Sequence, residues 1–332
     1  MSDEAAPAGR SPRPRRVLVL GATGTIGRAT VRALVGRGHE VVCLVRPRAR
    51  APAELAGATV RFGEATDPGS LARDGLRGER FDAVVSCLAS RTGSPADAWL
   101  VDHRAHLGLL AAAGAAGASH FVLLSAICVQ KPALAFQHAK LAFEAALIAS
   151  GMGYSIVRPT AYFKSLSGQI ARLQKGKPFL VFGDGTGTAC KPIADDDLGL
   201  YLAECLDDPA RLDRVLPIGG PGPAITPRQQ GERLFALLGR PPRFRHVPVG
   251  LLDAAVSLFD GLGRVLPRFA DRAELARIGR YYATESMLVL DPATGRYDPA
   301  ATPSTGTQTL FDYYERVIRG EASVERGEHA VF

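Results

Sequence analysis

A short apolar run that leads straight into a glycine-rich turn is the feature that most constrains the fold of this chain. The run Val17-Leu18-Val19-Leu20 is typical of a parallel strand buried on both faces. The turn carries Gly21, Gly24 and Gly27, each three residues from the next, and residues 29–35 continue as a helix. Glycines so placed allow a tight turn, close approach of the backbone to a pyrophosphate, and close packing of helix on strand.

The order of strand, turn and helix predicts a nucleotide site. Its pyrophosphate would bind the free N–H groups at the N-terminus of the helix. A glycine-rich turn that binds no ligand is the alternative interpretation. The candidate cofactor-binding residues of this turn are Gly21, Thr23, Gly24, Thr25, Ile26, Gly27 and Arg28.

The end of the second predicted strand, residues 40–46, indicates which dinucleotide is bound. Enzymes that prefer NAD place Asp or Glu there to accept hydrogen bonds from the ribose 2′-hydroxyl. This chain instead has Arg46, followed by Arg48 and Arg50, while Arg28 follows the last glycine of the first turn. Guanidinium groups suit a 2′-phosphate, so the pattern predicts NADPH over NADH. A solvated basic loop is the alternative.

The remaining strands and helices alternate over about 140 residues, which predicts an α/β fold with a Rossmann-like, doubly wound parallel sheet and helices on both faces. The predicted strands are 59–63, 81–89, 121–125 and 154–159, and the predicted helices between them include 96–116 and 134–149. Cys87, Leu88 and Ala89, which end the fourth strand, are expected to line the middle of the cofactor. Asp67 either accepts a hydrogen bond from the adenine amine or caps the helix that starts at Pro68.

Three parts of the chain are expected to differ in role. Residues 1–16 form a predicted disordered basic tail, residues 17–165 an NADP-binding domain, and residues 166–332 a mainly substrate-binding part from which about 190–218 returns to the sheet. Helices near 249–262 and 273–282 are expected to roof the pocket at the carboxyl ends of the strands. The first of them is amphipathic, which leaves peripheral contact with a membrane open, although its polar face is acidic as well as basic.

Composition excludes several classes of protein. The formal charge of +7 is spread along the chain, and we expect no nucleic-acid partner. The five cysteines lie far apart and never in C-x-x-C spacing, which argues against zinc and iron–sulfur sites and for a reducing, cytoplasmic location. No secretory signal or transmembrane span is predicted. No metal site is predicted either, because His103, His106 and His138 are expected in surface or capping roles. The sequence does not indicate the oligomeric state.

Longer motifs resemble a known family. The glycine turn, the strand ending in Ser125 and Lys140 fifteen residues later resemble an atypical or extended short-chain dehydrogenase/reductase. The stretches 124–132 (LSAICVQKP), 136–144 (FQHAKLAFE), 158–166 (RPTAYFKSL), 182–185 (FGDG) and 189–193 (ACKPI) resemble the NADPH-dependent divinyl chlorophyllide a 8-vinyl reductases. The resemblance covers nearly the whole chain from Val17 to about Tyr314.

This resemblance implies a reaction. The 8-vinyl group of a magnesium tetrapyrrole, divinyl chlorophyllide or its protochlorophyllide precursor, is reduced to ethyl by NADPH in (bacterio)chlorophyll biosynthesis. Because only a short tail precedes Val17, the bacterial form without a transit peptide is expected. Two alternatives are another atypical reductase of a conjugated C=C bond, and a non-catalytic NADP(H)-binding regulator or assembly factor.

The resemblance also implies site residues. Ser125, Lys140 and Pro159 are expected to line the cofactor. Carbonyl-reducing members use a Tyr-x-x-x-Lys motif in which the tyrosine protonates an alkoxide. Here Phe136 stands in the tyrosine position, which agrees with reduction of a C=C bond. Lys140 is expected to position the cofactor ribose and to relay a proton, with Tyr162 as a weaker donor. A solvated helix lysine is the alternative interpretation of Lys140.

Overall fold

The computed structural model describes residues 13–47, 53–263, 266 and 269–324. Most of the predicted basic tail, residues 1–12, lies outside these residues, as do Arg48 and Arg50. Arg16, which was predicted to belong to the tail, instead opens the first strand, and its backbone N–H donates to the Asp82 carboxylate at 2.7 Å.

The described strands form one large sheet and two small ones. They are β1 (Arg16–Leu20), β2 (Glu40–Val45), β3 (Thr59–Phe62), β4 (Ala83–Ser86), β5 (His120–Leu124), β6 (Gly153–Pro159), β7 (Phe179–Phe182), β8 (Arg214–Ile218), β9 (Phe244–Val247), β10 (Val289–Leu290) and β11 (Tyr297–Asp298). The large sheet is parallel throughout, in the order β3-β2-β1-β4-β5-β6-β8. β7 pairs with β9, and β10 with β11. The predicted parallel sheet is therefore confirmed, including the return of residues 214–218 to its edge.

The described helices cover both faces of this sheet or pack outside it. They are α1 (Thr25–Gly36), α2 (Pro68–Ser70), α3 (Pro95–Ala98), α4 (His106–Ala115), α5 (Ala135–Ala149), α6 (Phe163–Leu166), α7 (Ile170–Gln174), α8 (Asp195–Glu204), α9 (Pro227–Leu237), α10 (Val249–Gly263), α11 (Ala270–Thr284) and α12 (Leu310–Ile318). A π-helical segment, Trp99–Ala105, joins α3 to α4. The predicted helix over 96–116 is thus continuous, but its middle is wound differently from an α-helix.

Alternation along the strands divides the core of the sheet between its two faces. Val17 and Val19 of β1 point to the face covered by α1 and α8, whereas Leu18 and Leu20 point to the face covered by α4 and α5. All four are buried. A Cβ at Gly199 of α8 would lie 2.6 Å from a backbone atom of α1, so the two helices cross at close range. Because helices cover both faces of the sheet, the strands consist of continuous apolar residues.

Outside the sheet, β7, β9, α9 and α12 enclose a separate apolar cluster that includes Phe179, Phe235 and Tyr314. α11 is fixed to the loop after β5, because the Tyr281 hydroxyl lies 2.9 Å from the Cys128 carbonyl oxygen. α10 packs on α11 and buries none of its own side chains fully. No helix within the described residues is both long enough and apolar enough to cross a membrane.

Candidate active site

Strand register brings most of the predicted site residues to one edge of the sheet. Leu20 pairs with Leu44 on one side and with Ser86 on the other, so Arg46, the glycine turn and Cys87 follow neighbouring strand ends. Ser125 and Pro159 follow or end the next two strands, β5 and β6. The strand order reverses between β1 and β4. In doubly wound sheets, ligands bind at the carboxyl ends of the strands, at this kind of switch point.

The glycine turn packs so tightly that two of its glycines cannot be replaced without displacing backbone. Gly21 has a φ of +71°, and a Cβ there would lie 2.4 Å from the Cys87 carbonyl oxygen. A Cβ at Gly27 would lie 2.0 Å from the Gly21 oxygen. At Gly24 the nearest atom would be 3.3 Å away, so the protein itself constrains this position least. Room for a pyrophosphate at Gly24 stays a prediction.

The N-terminus of α1 has the electrostatics of an anion site. Gly24 precedes α1 and supplies no side-chain cap, and the first turn of α1 contains no acidic residue. The leading N–H groups therefore present partial positive charge. Thr23, Thr25 and Arg28 are half-buried around this end, while Ile26 is buried beneath it. The Lys164 ammonium donates to the Thr25 hydroxyl oxygen at 2.9 Å, a contact that sequence reasoning missed.

Arg46 and Asp67, two of the residues predicted to hold the adenosine end, are exposed. Arg46 is the first residue after β2 and lies beside the glycine turn. Asp67 caps α2, because its Oδ1 accepts from the Gly69 N–H at 2.9 Å. The capping interpretation of Asp67 is therefore confirmed, and its contact with adenine stays a prediction.

The residues predicted to line the middle of the cofactor have side chains that stay uncharged near neutral pH. Burial raises the pKa of the Cys87 thiol to about 12. Leu88 is half-buried and Ala89 exposed, while Pro159 is buried. The buried Ser125 hydroxyl donates to Glu144, whose carboxylate also pairs with Arg158. This network holds the Ser125 side chain within the protein, and its contact with a cofactor stays a prediction.

Lys140 is buried and forms an ion pair, so the solvated-lysine interpretation is wrong. Its side chain is 9% exposed, and its Nζ lies 3.0 Å from Oδ1 of the fully buried Asp102. Asp102 belongs to the π-helical segment, and π turns recur at functional sites. The second Asp102 oxygen, Oδ2, has no hydrogen-bond partner among the described residues. Sequence reasoning missed Asp102, although an acid among the apolar positions of an alanine-rich helix was a usable signal.

His106 lies beside this pair and is held neutral. Its Nε2 is 2.9 Å from the Ser86 hydroxyl oxygen, and its Nδ1 is 2.8 Å from the Val101 carbonyl oxygen. Burial, reinforced by the Lys140 charge, lowers the pKa of His106 to about 4. Both ring nitrogens are engaged, so His106 does not serve as a metal ligand. The described residues contain no cluster of three side chains suited to a metal ion.

Two tyrosines and two cysteines lie close together near this edge of the sheet. Tyr162 is half-buried, and burial, then the nearby Cys87 and Cys128, raise the pKa of its phenol above 10. The Tyr282 hydroxyl lies 3.9 Å from the Cys128 sulfur, and desolvation also raises the pKa of this phenol, although the residue as a whole is 41% exposed. Both phenols keep their protons near neutral pH. Phe136 packs against the cluster around Cys128, so no phenol takes the place of the usual tyrosine.

Comparison with known proteins decides the family. A family model described as NAD(P)H-binding matches residues 21–209. The chloroplastic divinyl chlorophyllide a 8-vinyl-reductase of Oryza sativa subsp. indica is 51% identical over 97% of this chain and 83% of its own length. The enzyme of that name from Arabidopsis thaliana is 46% identical over 96% and 81%. The chain belongs to the divinyl chlorophyllide a 8-vinyl-reductase family.

A solved structure supports the fold of this family member. The chain resembles an NADPH-dependent quinone oxidoreductase of Escherichia coli in complex with NADPH, with a TM-score of 0.68 and 20% identity over 91% of this chain and 99% of that one. At this identity the similarity concerns the fold. The expected Rossmann-like fold is therefore confirmed.

The buried His106 predicts a pH-dependent stability. Its pKa is 6.5 in the unfolded chain and about 4 in the folded one, so between these values the unfolded chain binds the additional proton. The free energy of unfolding should therefore fall as the pH drops from 6.5 toward 4, with His106 contributing about 1 kcal/mol per pH unit. Urea titrations at pH 5.0 to 6.5 measure this slope. His106→Gln should reduce it and His138→Gln, at an exposed position, should not; equal slopes in all three proteins would contradict the assignment.

Proposed function

We propose that this chain reduces the 8-vinyl group of a divinyl chlorophyllide to an ethyl group, using NADPH. The observation that carries the proposal is its identity of 46–51% with reductases of that name over almost the whole chain. The exposed N-terminus of α1 and the basic groups beside it fit a nicotinamide dinucleotide. We assign cofactor binding mainly to residues 17–165, and substrate binding mainly to residues 166–332.

The proposed reaction does not require strong acid catalysis by the protein. Bound NADPH supplies a hydride. The vinyl group is conjugated with the macrocycle, so hydride addition at its terminal carbon leaves an anion that the ring delocalises, and a proton then adds to the inner carbon. A strong local acid is unnecessary, which agrees with Phe136 in place of tyrosine. The chain's task is to align the two reactants and to exclude water.

Lys140 and Asp102 supply position and charge. The buried ion pair holds the Lys140 ammonium at a fixed place on α5, from which it is proposed to bind the cofactor ribose and to pass on a proton. Tyr162 and Tyr282 keep their phenol protons and offer ring faces or edges to a planar substrate. Tyr281 and Phe163 are unsuited to this role, because Tyr281 is bonded to the Cys128 carbonyl and Phe163 is buried against Tyr313.

Incubation with NADPH and divinyl chlorophyllide tests the proposal directly. Loss of the vinyl group from conjugation should shift the Soret band to the blue, and divinyl protochlorophyllide tested in parallel ranks the two substrates. Tight NADPH binding without turnover of either substrate would favour the non-catalytic regulator instead.

The preference for NADPH is predicted to depend on Arg28 and Arg46. A charged hydrogen bond contributes ~1.5–3 kcal/mol, so Arg46→Glu should raise the KM for NADPH by about tenfold or more, while the KM for NADH should stay the same or fall. Arg245→Glu, a charge reversal at an exposed position on β9, is the matched control. An unchanged KM for NADPH in both Arg28→Glu and Arg46→Glu would reject the assignment.

Lys140→Ala is predicted to lower kcat by about 10²-fold or more, the range of a lost acid–base or positioning group. Tyr162→Phe should have a smaller effect, and Lys175→Ala, at an exposed lysine, none. Because Lys140→Ala leaves the buried Asp102 uncompensated, it should also cost ~3–5 kcal/mol of stability.

The double variant Lys140→Met with Asp102→Asn separates these two effects. It replaces the ion pair with neutral groups, so stability should recover while turnover stays low. Near-normal turnover and NADPH affinity in this double variant would show that Lys140 is not part of the site.

Peripheral membrane contact is proposed for the outer surface of α10. Leu251, Leu258 and Leu262 are exposed there, while Asp253 and Asp260 pair with arginines of α11. These ion pairs direct the two carboxylates toward α11. The acidic residues of α10 therefore do not argue against contact with a membrane. Co-sedimentation with anionic vesicles, with and without Leu258→Glu, is the appropriate measurement.

A further inference from the structure

We propose that Lys164 is a cofactor-binding residue, whose ammonium group neutralises the cofactor pyrophosphate at the N-terminus of α1. The inference rests on the dinucleotide site of the proposed function and adds to it a residue that is distant from the glycine turn in the sequence. Lys164 belongs to α6, in the segment that follows β6, and lies 139 positions from Thr25 in the sequence.

Lys164 is placed by a well-anchored segment. The preceding residue, Phe163, is buried, and its carbonyl oxygen accepts from the Ser167 hydroxyl at 2.6 Å. The Leu166 carbonyl oxygen accepts from the fully buried Tyr314 at 2.7 Å. Upstream, the Ala161 carbonyl accepts from the Ile193 N–H at 2.9 Å. These contacts fix the backbone on both sides, so the side chain does not reach α1 from a loosely held loop.

No carboxylate among the described residues compensates the charge of Lys164. The ammonium of the half-buried Lys164 has three N–H donors. Among the described residues it donates to one neutral group, the Thr25 hydroxyl, at 2.9 Å. It forms no ion pair with a described carboxylate. The end of α1 adds further positive potential, since its first turn contains no acid. Two positive groups that meet without an anion repel each other, which favours binding of an anion between them.

A pyrophosphate matches this arrangement in charge and geometry. The Thr25 hydroxyl accepts from Lys164, so its own hydrogen is free to donate to a phosphate oxygen beside the leading N–H groups of α1. A lysine ammonium binds phosphate as a compact point charge. The alternative is that Lys164 only ties α6 to α1, in which case its loss would affect stability and not affinity.

Direct binding measurements separate these roles without any turnover of substrate. The Kd of NADP⁺ is measured by calorimetry at several salt concentrations for the native chain, Lys164→Met and Lys164→Arg, with Lys175→Met as the matched control at an exposed lysine. Lys164→Met should raise the Kd at least tenfold and weaken its salt dependence. Lys164→Arg should stay within a few-fold of the native value, as should Lys175→Met.

Adenosine 2′-monophosphate serves as a second probe, because it carries the 2′-phosphate and lacks the pyrophosphate. Its Kd should be the same in the native chain and in Lys164→Met. The melting temperature of the ligand-free protein should also be unchanged by Lys164→Met. A native-like Kd for NADP⁺ in Lys164→Met, equal weakening of both ligands, or a lower melting temperature with unchanged affinity would each overturn the proposal. If the chain binds NADP⁺ as described but reduces no vinyl group, the proposed function fails and this inference stands.

Discussion

The close approach of the glycine turn to the end of β4 is the constraint on which the rest of the site depends. Gly21 contacts the Cys87 carbonyl at a distance that excludes any Cβ, and Gly27 contacts Gly21 even more closely. These contacts place the N-terminus of α1 over the gap where the strand order reverses. If this packing loosened, the leading N–H groups of α1 would no longer point into the crevice that the neighbouring strand ends line.

The buried ion pair between Lys140 and Asp102 is the second organising element. Burying an unpaired charge costs free energy, so Lys140 and Asp102 each reduce the free-energy cost of burying the other. The π-helical turn brings Asp102 to this position, and a regular α-helix would turn its residues to different directions. Asp102 therefore explains how a lysine can be both buried and charged on α5. His106, neutral and held by Ser86 and Val101, lies beside the pair without adding a competing charge.

Local signals allowed the sheet and the glycine turn at its edge to be predicted, and long-range contacts explain what was missed. The strands around Leu18, Val42 and Val84 are buried on both faces and read as apolar runs. Asp102 and Lys164 acquire their roles only through partners 38 and 139 positions away in the sequence, and apolar periodicity does not reveal such contacts.

Two helical segments were also missed. Thr226 and Gln229 form a capping box around Pro227, a sequence signal that would have predicted the start of α9. The π-helical segment was missed because apolar spacing does not distinguish π from α winding.

The packing of α10 has a consequence for how the family can diversify. This helix contributes no fully buried side chain and rests on α11, whereas α11 is fixed to the loop after β5 through Tyr281 and to α5 through Glu274. Replacement of the outer helix therefore leaves the sheet, the glycine turn and the lysine pair intact. If substrate binding lies in residues 166–332, as proposed, a lineage could remodel this helix for a larger or smaller ring system while it inherits the residues proposed to bind the cofactor unchanged.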